Sequence, residues 1–523
     1  MARNVARRAQ TNVVPLRSMA QQNRAVTASL PAPVGGWNAR DALGEMDPTD
    51  AVTLTNVFPS TTTCNVRFGH TQFSTGLGAQ VESLFSYQSG TASRLIAVAG
   101  GGFYNISSGG AAPAASVSGL TNSRWQYVNV TTSGGSYIEC CNGADNVYTF
   151  DGTNWVDQGA AITGVTSSQL ININVHKNRI WFCQVGTLKA WYLPTASITG
   201  AAAALDLSAF CPHGGYLMTM GTWTIDAGYG VDDHAVFITS EGDVLVYRGT
   251  DPASATTWAL VGVWWLGSPI GRRCFVKYMG DLLLITQDGL VPLSGALQSS
   301  RVNPRVALTD KIQRATSEAV GNYGANFGWQ VIPYPNQNML ILNVPVSGGA
   351  IQQQFVMNTI TGAWCNFTGW YANCWELYGN DIYFGGNGFV GKAWDSNADA
   401  GADISWSALQ AFNYFGSRGQ NKRFTMFRPT FQITGLPMVE GNMAIDFDQT
   451  APGSSLNMVT GAGAAWDSGT WDSGQWGGYN FSRAWQGAAG VGYAAAPNLA
   501  GTLNGLELQW ISTDVIMEPG GFV

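Results

Sequence analysis

Charge is what this chain lacks most. Asp, Glu, Lys and Arg make up 11% of its 523 residues, and only six of them are lysine, well under half the usual share. An isolated soluble domain normally carries more, so much of the surface is expected to lie against partners. Histidine is as scarce. His70, His176, His213 and His234 are the four, and none forms HExxH or stands at metal-ligand spacing from a cysteine. No metal site is therefore legible. The eight cysteines include no CxxC pair, two are adjacent, and several sit inside apolar runs. That pattern argues for buried free thiols in a reducing compartment. In "CPHGG" at 211–215 a thiol and an imidazole stand two residues apart, which reads as a buried structural pair. GxSxG and Walker A are absent. "AVAGGGF" leads from one strand to another, without the helix N-terminus that would hold a phosphate. Neither an enzyme nor a cofactor is expected. No run of 18 apolar residues is present to span a membrane, and no early apolar stretch resembles a secretory signal. The Arg-rich start matches a mitochondrial transit peptide in composition but lacks a clear amphipathic helix.

What is abundant is glycine, 65 residues, and tryptophan, 20. Many glycines and aromatics with little lysine suit short strands joined by tight turns and make poor helices. The charge that exists is unevenly placed. Residues 1–40 carry six arginines and no acid, contributing +6, so the remaining 483 residues sum to −13 against a whole-chain −7. Within residues 1–36, a polar basic arm, Arg3, Arg7, Arg8, Arg17 and Arg24 are candidate contacts to an acidic neighbour or to nucleic acid. A plain disordered tail is the alternative.

Residues 37–80 form a lead-in expected to pack on the body that follows. Residues 81–396 hold a repeat of apolar strand, Gly-containing turn and second apolar strand. The first strands begin near Leu95, Tyr137, Ile180, Ala235, Leu282, Leu340 and Ile382, at intervals of about 42, 43, 55, 47, 58 and 42 residues. A period of 40–50 residues with two or more hairpins is what propeller blades require. The expected fold is thus all-β, a β-propeller of six or seven blades; a large sandwich would not explain the period. One helical insertion is expected near 304–320, capped by Thr309 and projecting from one face, because Val306, Ile312, Ala315 and Ala319 fall at helical spacing. Residues 397–523 read as a separate small β-domain.

Its long central connection contains "AAWDSGTWDSGQWGG", with Trp466, Trp471 and Trp476 five residues apart. That spacing matches neither the strand period of two nor the helical 3.6. Each WDSG is read as a bend whose tryptophan anchors it in an apolar groove, within the domain, on a neighbouring subunit, or against a sugar ring. Acidic turns at Asp232, Asp233, Glu241 and Asp243 are solvated turns or, in an assembly, channel-lining groups. "SEGDV" at 240–244 and "TQDGL" at 286–290 admit a calcium- or sialidase-like reading, and a glycosidase would also need paired carboxylates and several arginines facing one pocket. A carbohydrate-binding or glycan-cleaving propeller is the alternative function.

The lead-in "GGWNARDALGEMDPTDAVTLTNVFPSTTTCNVRFGHTQF", the β-repeats, the helix around "ALTDKIQ" and the terminal "WDSGTWDSGQWGG" together resemble the tail nozzle, or tail hub, proteins of short-tailed bacteriophages over roughly residues 35–523. The resemblance implies a structural virion protein made in the bacterial host cytoplasm. It implies six subunits around one axis below the portal and the adaptor protein, forming the conduit through which genomic DNA leaves, with fibres or spikes held outside. It transfers no residue-level site. An acidic body suits such a conduit, since every phosphate neutralised by Lys or Arg would add affinity and slow passage.

Overall fold

The computed structural model describes residues 25–90, 92–226, 231–296, 306–348, 350–458 and 480–522. The chain is all-β, a β-propeller of seven blades joined to a β-sandwich.

Three blades are four-stranded antiparallel meanders that follow one another in sequence. The first of these runs Gln126–Thr132, Gly135–Cys141, Tyr148–Phe150 and Trp155–Asp157. The next runs Leu170–His176, Arg179–Gln184, Lys189–Tyr192 and Ala203–Asp206, and the third Leu217–Asp226, Val231–Thr239, Asp243–Gly249 and Trp258–Trp265. They are blades 2, 3 and 4. Among the described residues blade 5 has three strands, Phe275–Tyr278, Asp281–Thr286 and Gly289–Pro292, and blade 6 four, Gln330–Tyr334, Met339–Ser347, Ile351–Asn358 and Trp364–Thr368.

The ring is closed by one long strand, Gly69–Gln88. Its first half pairs with Asn387–Ser396 and completes blade 7 beside Cys374–Tyr378 and Asp381–Gly385. From Val81 onward it pairs instead with Ser93–Ala99, which with Gly102–Asn105 makes blade 1. A segment from early in the chain thereby holds the last blade against the first, so no open sheet edge remains at the seam.

The hydrophobic pattern follows from this ring. A blade is buried on both faces, so successive side chains of its second strand enter different interfaces. In "RIWFCQ", Ile180 and Phe182 join the blade 2–3 core, while Trp181 and Cys183 join the blade 3–4 core. Such strands read as unbroken apolar runs, and all seven strand starts named from the sequence fall in the second strands of the seven blades. All eight cysteines are buried and free.

The helix Gln313–Tyr323 overlaps the expected insertion, ending three residues beyond it, but does not project. It packs between the third strand of blade 5 and the second of blade 6, with Ile312, Ala319 and Val320 in that core. Nor does Thr309 cap it: its buried hydroxyl accepts the Leu290 N–H at 3.1 Å instead.

The lead-in packs on the propeller as expected, with Trp37 against Phe355 and Phe58 against Phe367 of blade 6, and its residues 69–80 belong to blade 7; but it is not a separate segment. Its strands Val57–Pro59 and Cys64–Val66 belong to one sandwich sheet, with Leu508–Phe522 and Gln420–Ile433. Asp50–Thr55 belongs to the other, with Ile404–Gln410, Ala495–Leu503 and Met438–Ile445, and that sheet continues through the Thr55–Asn366 pairing into blade 6. Val26–Pro31 pairs with Leu508–Phe522, so the basic arm leaves from the sandwich. Phe424, Phe427, Phe431 and Val515 face Trp406, Val439 and Leu499 across a shared core. Pairing between residues 300 or more positions apart carries no periodic signal, which is why local pattern separates the lead-in from the domain it helps to build.

Candidate functional site: the central channel and its mouth

The innermost strands of the blades surround the propeller axis. Two cavities lie along it: one of about 360 Å³ between the strands, and one of about 870 Å³ at the end where those strands begin. Gln126, Arg272 and Arg273 line both.

The inner cavity holds Glu376 from blade 7 and Tyr127 from blade 2. Burial within the ring pushes the Glu376 carboxyl up to about 8, against hydrogen bonds from the Tyr127 hydroxyl and the Leu377 N–H that favour the charged form. The Tyr127 oxygen accepts the Ser86 N–H at 3.2 Å, which leaves its own hydrogen for Glu376. Because the folded-state value is raised above the ordinary 4.5, the acid costs nothing when both states are protonated and costs more as pH climbs towards 8. Glu376→Gln is therefore expected to match the wild type near pH 4 and to gain roughly 1.4 kcal/mol per pH unit above that, read from urea midpoints across pH 4–8.

At the mouth, Arg273 stands just before blade 5. One of its terminal nitrogens, Nη2, donates to the carbonyls of Glu82 and Trp125 and to the Ser83 hydroxyl, at 3.0, 3.1 and 2.7 Å. It thus ties the start of blade 5 to blades 1 and 2. Burial lowers its pKa from the ordinary value, yet the side chain still touches solvent through the cavity it lines. Arg272 reaches the Asn142 carbonyl at 3.1 Å, and Arg124 pairs with Glu82 at 2.9 Å. The loop after the insertion helix brings Phe327 between them; the Arg124 and Arg273 guanidinium carbons lie 4.5 and 5.4 Å from its ring centroid. Adjacent arginines at 272–273 were the one sequence trace of this cluster, since its other members come from separate loops.

The acidic turn residues do not line these two cavities. Asp243 is buried, accepting the His213 backbone N–H at 3.0 Å and bonding its ring Nδ1 at 2.6 Å. Asp243 is thus a buried acid rather than a solvated turn, and His213 is not buried with Cys211: its side chain is 49% exposed, while the Cys211 thiol donates to the Leu207 carbonyl. Removing the carboxylate would leave the backbone N–H and ring unpaired. Asp243→Ala should therefore cost about 1–3 kcal/mol, measured as a shift in thermal midpoint. Asp233 accepts from the Thr224 hydroxyl at 2.8 Å and pairs with Lys177 at 3.4 Å. Glu241 is exposed in the turn after Val231–Thr239, and Asp232 pairs through its backbone with Ile225. Trp466, Trp471 and Trp476, and Arg3, Arg7, Arg8, Arg17 and Arg24, lie outside the described residues. Among those described, no three His, Cys, Asp or Glu side chains form a metal-ligating group, and no helix is long and apolar enough to cross a membrane.

No family model and no curated protein matches the chain. Solved structures similar to it include the extracellular domain of BT4673 from B. thetaiotaomicron, at 10% identity and a TM-score of 0.39, covering 71% of this chain and 55% of that one. The β-propeller domain of Cps50 (Swd1) from Myceliophteria thermophila is similar at 11% identity and a TM-score of 0.37, over 60% and 96% of the two chains. The AfRom2 CNH domain is similar at 10% identity and a TM-score of 0.34, over 55% and 86%. These likenesses are too distant to bear on activity.

Proposed function

We propose that this chain is the ring-forming nozzle subunit of a short-tailed bacteriophage tail. Six copies would enclose the passage for outgoing DNA, joined to an adaptor protein on one side and to fibres or spikes outside. The observation that carries this reading is the character of the sandwich edges. Met438–Ile445 ends one sheet, and Asn480–Ser482 and Gln486–Gly492 lie at the margin of the other. Met438, Phe481 and Val491 are 75, 54 and 60% exposed there. The Met438–Ile445 backbone is itself bridged by residues 454–456, so it is the exposed apolar side chains that mark a surface another chain would cover. In sequence, these edge strands bracket the WDSG array. The 11% charge content and the −13 body fit a subunit with large contacts and a passage that does not hold DNA.

The purified chain is expected to assemble at about six times its 55.7 kDa mass in native mass spectrometry, alone or with its adaptor. Met438→Asp with Val491→Asp should return it to monomers while leaving its circular dichroism unchanged. A wild-type chain that stays monomeric with every candidate tail partner would overturn the reading. Deleting residues 1–24 should reduce incorporation into tails; normal particles from that deletion would remove the arm from the proposal.

A further inference from the structure

We propose that the cavity at the mouth of the propeller binds an acidic saccharide. The ligand's oxyanion would meet Arg272 and Arg273, and its hydroxyls would meet Gln80 and Gln126. This goes beyond the assembly reading and stands or falls separately from it.

The argument begins with charge. On a body of −13, three arginines line one concavity, against a single lining carboxylate, Glu82. Glu82 is already paired with Arg124. Asp145, near the rim, is taken by the Thr121 backbone and hydroxyl and by the Asn142 amide. Among the described residues no carboxylate forms an ion pair with Arg272 or Arg273. The deeper acid, Glu376, attracts Arg273 electrostatically but does not line the mouth cavity. Arg272 is exposed at the mouth with no paired carboxylate, and a bound oxyanion would give it charge-assisted hydrogen bonds.

Unspent hydrogen-bond capacity points the same way. A guanidinium has five N–H donors, and Arg272 uses one nitrogen, on the Asn142 carbonyl. Gln80 and Gln126 line the cavity and make no side-chain hydrogen bond to another described residue. Donors and amides together match a ligand bearing both an acid group and hydroxyls. Gly101, Gly143 and Gly271 take positive φ values of 72°, 77° and 73° at the turns bounding the cavity, conformations that favour glycine over larger residues. The volume, about 870 Å³, lies within the range of sites for small ligands. An acidic peptide fits less well, because Phe327 already lies against two guanidinium groups and the remaining lining offers little apolar anchorage.

The test is isothermal titration of the full chain at low and high salt. The acidic probes are trigalacturonate, sialyllactose, a hyaluronan tetrasaccharide and glucose 6-phosphate. Lactose, maltotriose, inorganic phosphate and a tetraglutamate peptide serve as comparisons. At least one acidic saccharide should bind with Kd below about 1 mM, more weakly at high salt, while the neutral sugars do not. Arg272→Gln should weaken that binding about tenfold or more, and Gln126→Leu several-fold. Arg272 is exposed, so its substitution should leave the thermal midpoint in place; Arg124→Gln is a second variant at the same mouth. Preference for sialyllactose or trigalacturonate over glucose 6-phosphate would identify the acid group as carboxylate, and the reverse as phosphate. Binding of no acidic saccharide, equal or tighter binding of phosphate alone or of tetraglutamate, or binding indifferent to Arg272→Gln would each overturn the proposal.

Discussion

Replacing Arg67 with alanine is expected to cost about 3–5 kcal/mol, because it strands a buried carboxylate. Arg67 is 2% exposed, and its five donors are all taken. Nε donates to the Asn56 side chain at 2.9 Å. Nη1 donates to the Phe68 carbonyl and to Asp399, both at 2.9 Å, and Nη2 to the Thr368 carbonyl at 2.5 Å and to Asp399 at 2.6 Å. The guanidinium also lies 4.8 Å from the Trp370 ring centroid. Four stretches meet at this one group: the lead-in, the exit of blade 6, the closing strand through His70, which reaches Asp399 at 3.2 Å, and the start of the sandwich. Burial alone would raise the Asp399 carboxyl; hydrogen bonds from Arg67 and His70 outweigh that and hold it below its ordinary value. An acid whose folded-state pKa is depressed contributes stability above its unfolded value, near 3.9, and loses it as pH falls through the folded one. The joint should therefore weaken below about pH 4. Arg67→Lys keeps the charge but loses the fork and should recover only part of the stability. Guanidinium midpoints for Arg67→Ala, Asp399→Asn and the double variant give the coupling, expected to exceed 1 kcal/mol. Strict additivity would contradict the joint.

Removing Glu139 should do the opposite and stabilise the chain. This side chain is fully buried in blade 2, and neither carboxyl oxygen has a protein hydrogen-bond partner. Its cross-strand neighbours are Val128 and Thr149, and its direction along the strand matches Cys141, in the apolar core between blades 2 and 3. Burial pushes its pKa well above the ordinary value. The cost is absent at low pH, where both states are protonated, and grows as pH rises above the unfolded value of about 4.3. Glu139→Leu should gain roughly 1–3 kcal/mol at pH 7–8 and much less at pH 4; Glu139→Gln should gain less than Leu, since its amide stays unpaired. Urea denaturation at the two pH values checks this. Loss of stability in Glu139→Leu at pH 8 would mean that the carboxyl has a partner it needs.

The blades were legible in the sequence because each second strand is buried on both faces and reads as a continuous apolar run, as in "RIWFCQ" and "HAVFITS". The inner strands were not. "LININVH" and "FVKY" mix polar and apolar residues because part of each strand lines the axial cavity. Ring closure by Gly69–Gln88 and the Arg67–Asp399 joint were invisible, since the pairing residues stand more than 300 positions apart in sequence and leave no local period. Asp243 does follow a turn: Gly242 before it has φ +89° and no room for a side chain against the Gly267 carbonyl. What the turn could not reveal was His213, thirty residues earlier, folded over the carboxylate. The channel cluster was hidden for a related reason. Arg124, Arg272, Arg273 and Phe327 meet only because separate inter-blade loops converge on one axis, and no motif spans them.

The central claim, that these propellers work as a ring, is tested most directly by electron-microscopy class averages of the purified chain, alone and with its adaptor. The expected result is a six-fold ring whose neighbours meet through the sandwich edges at Met438, Phe481 and Val491. Single compact propellers in both samples, with those edges open to solvent, would contradict it.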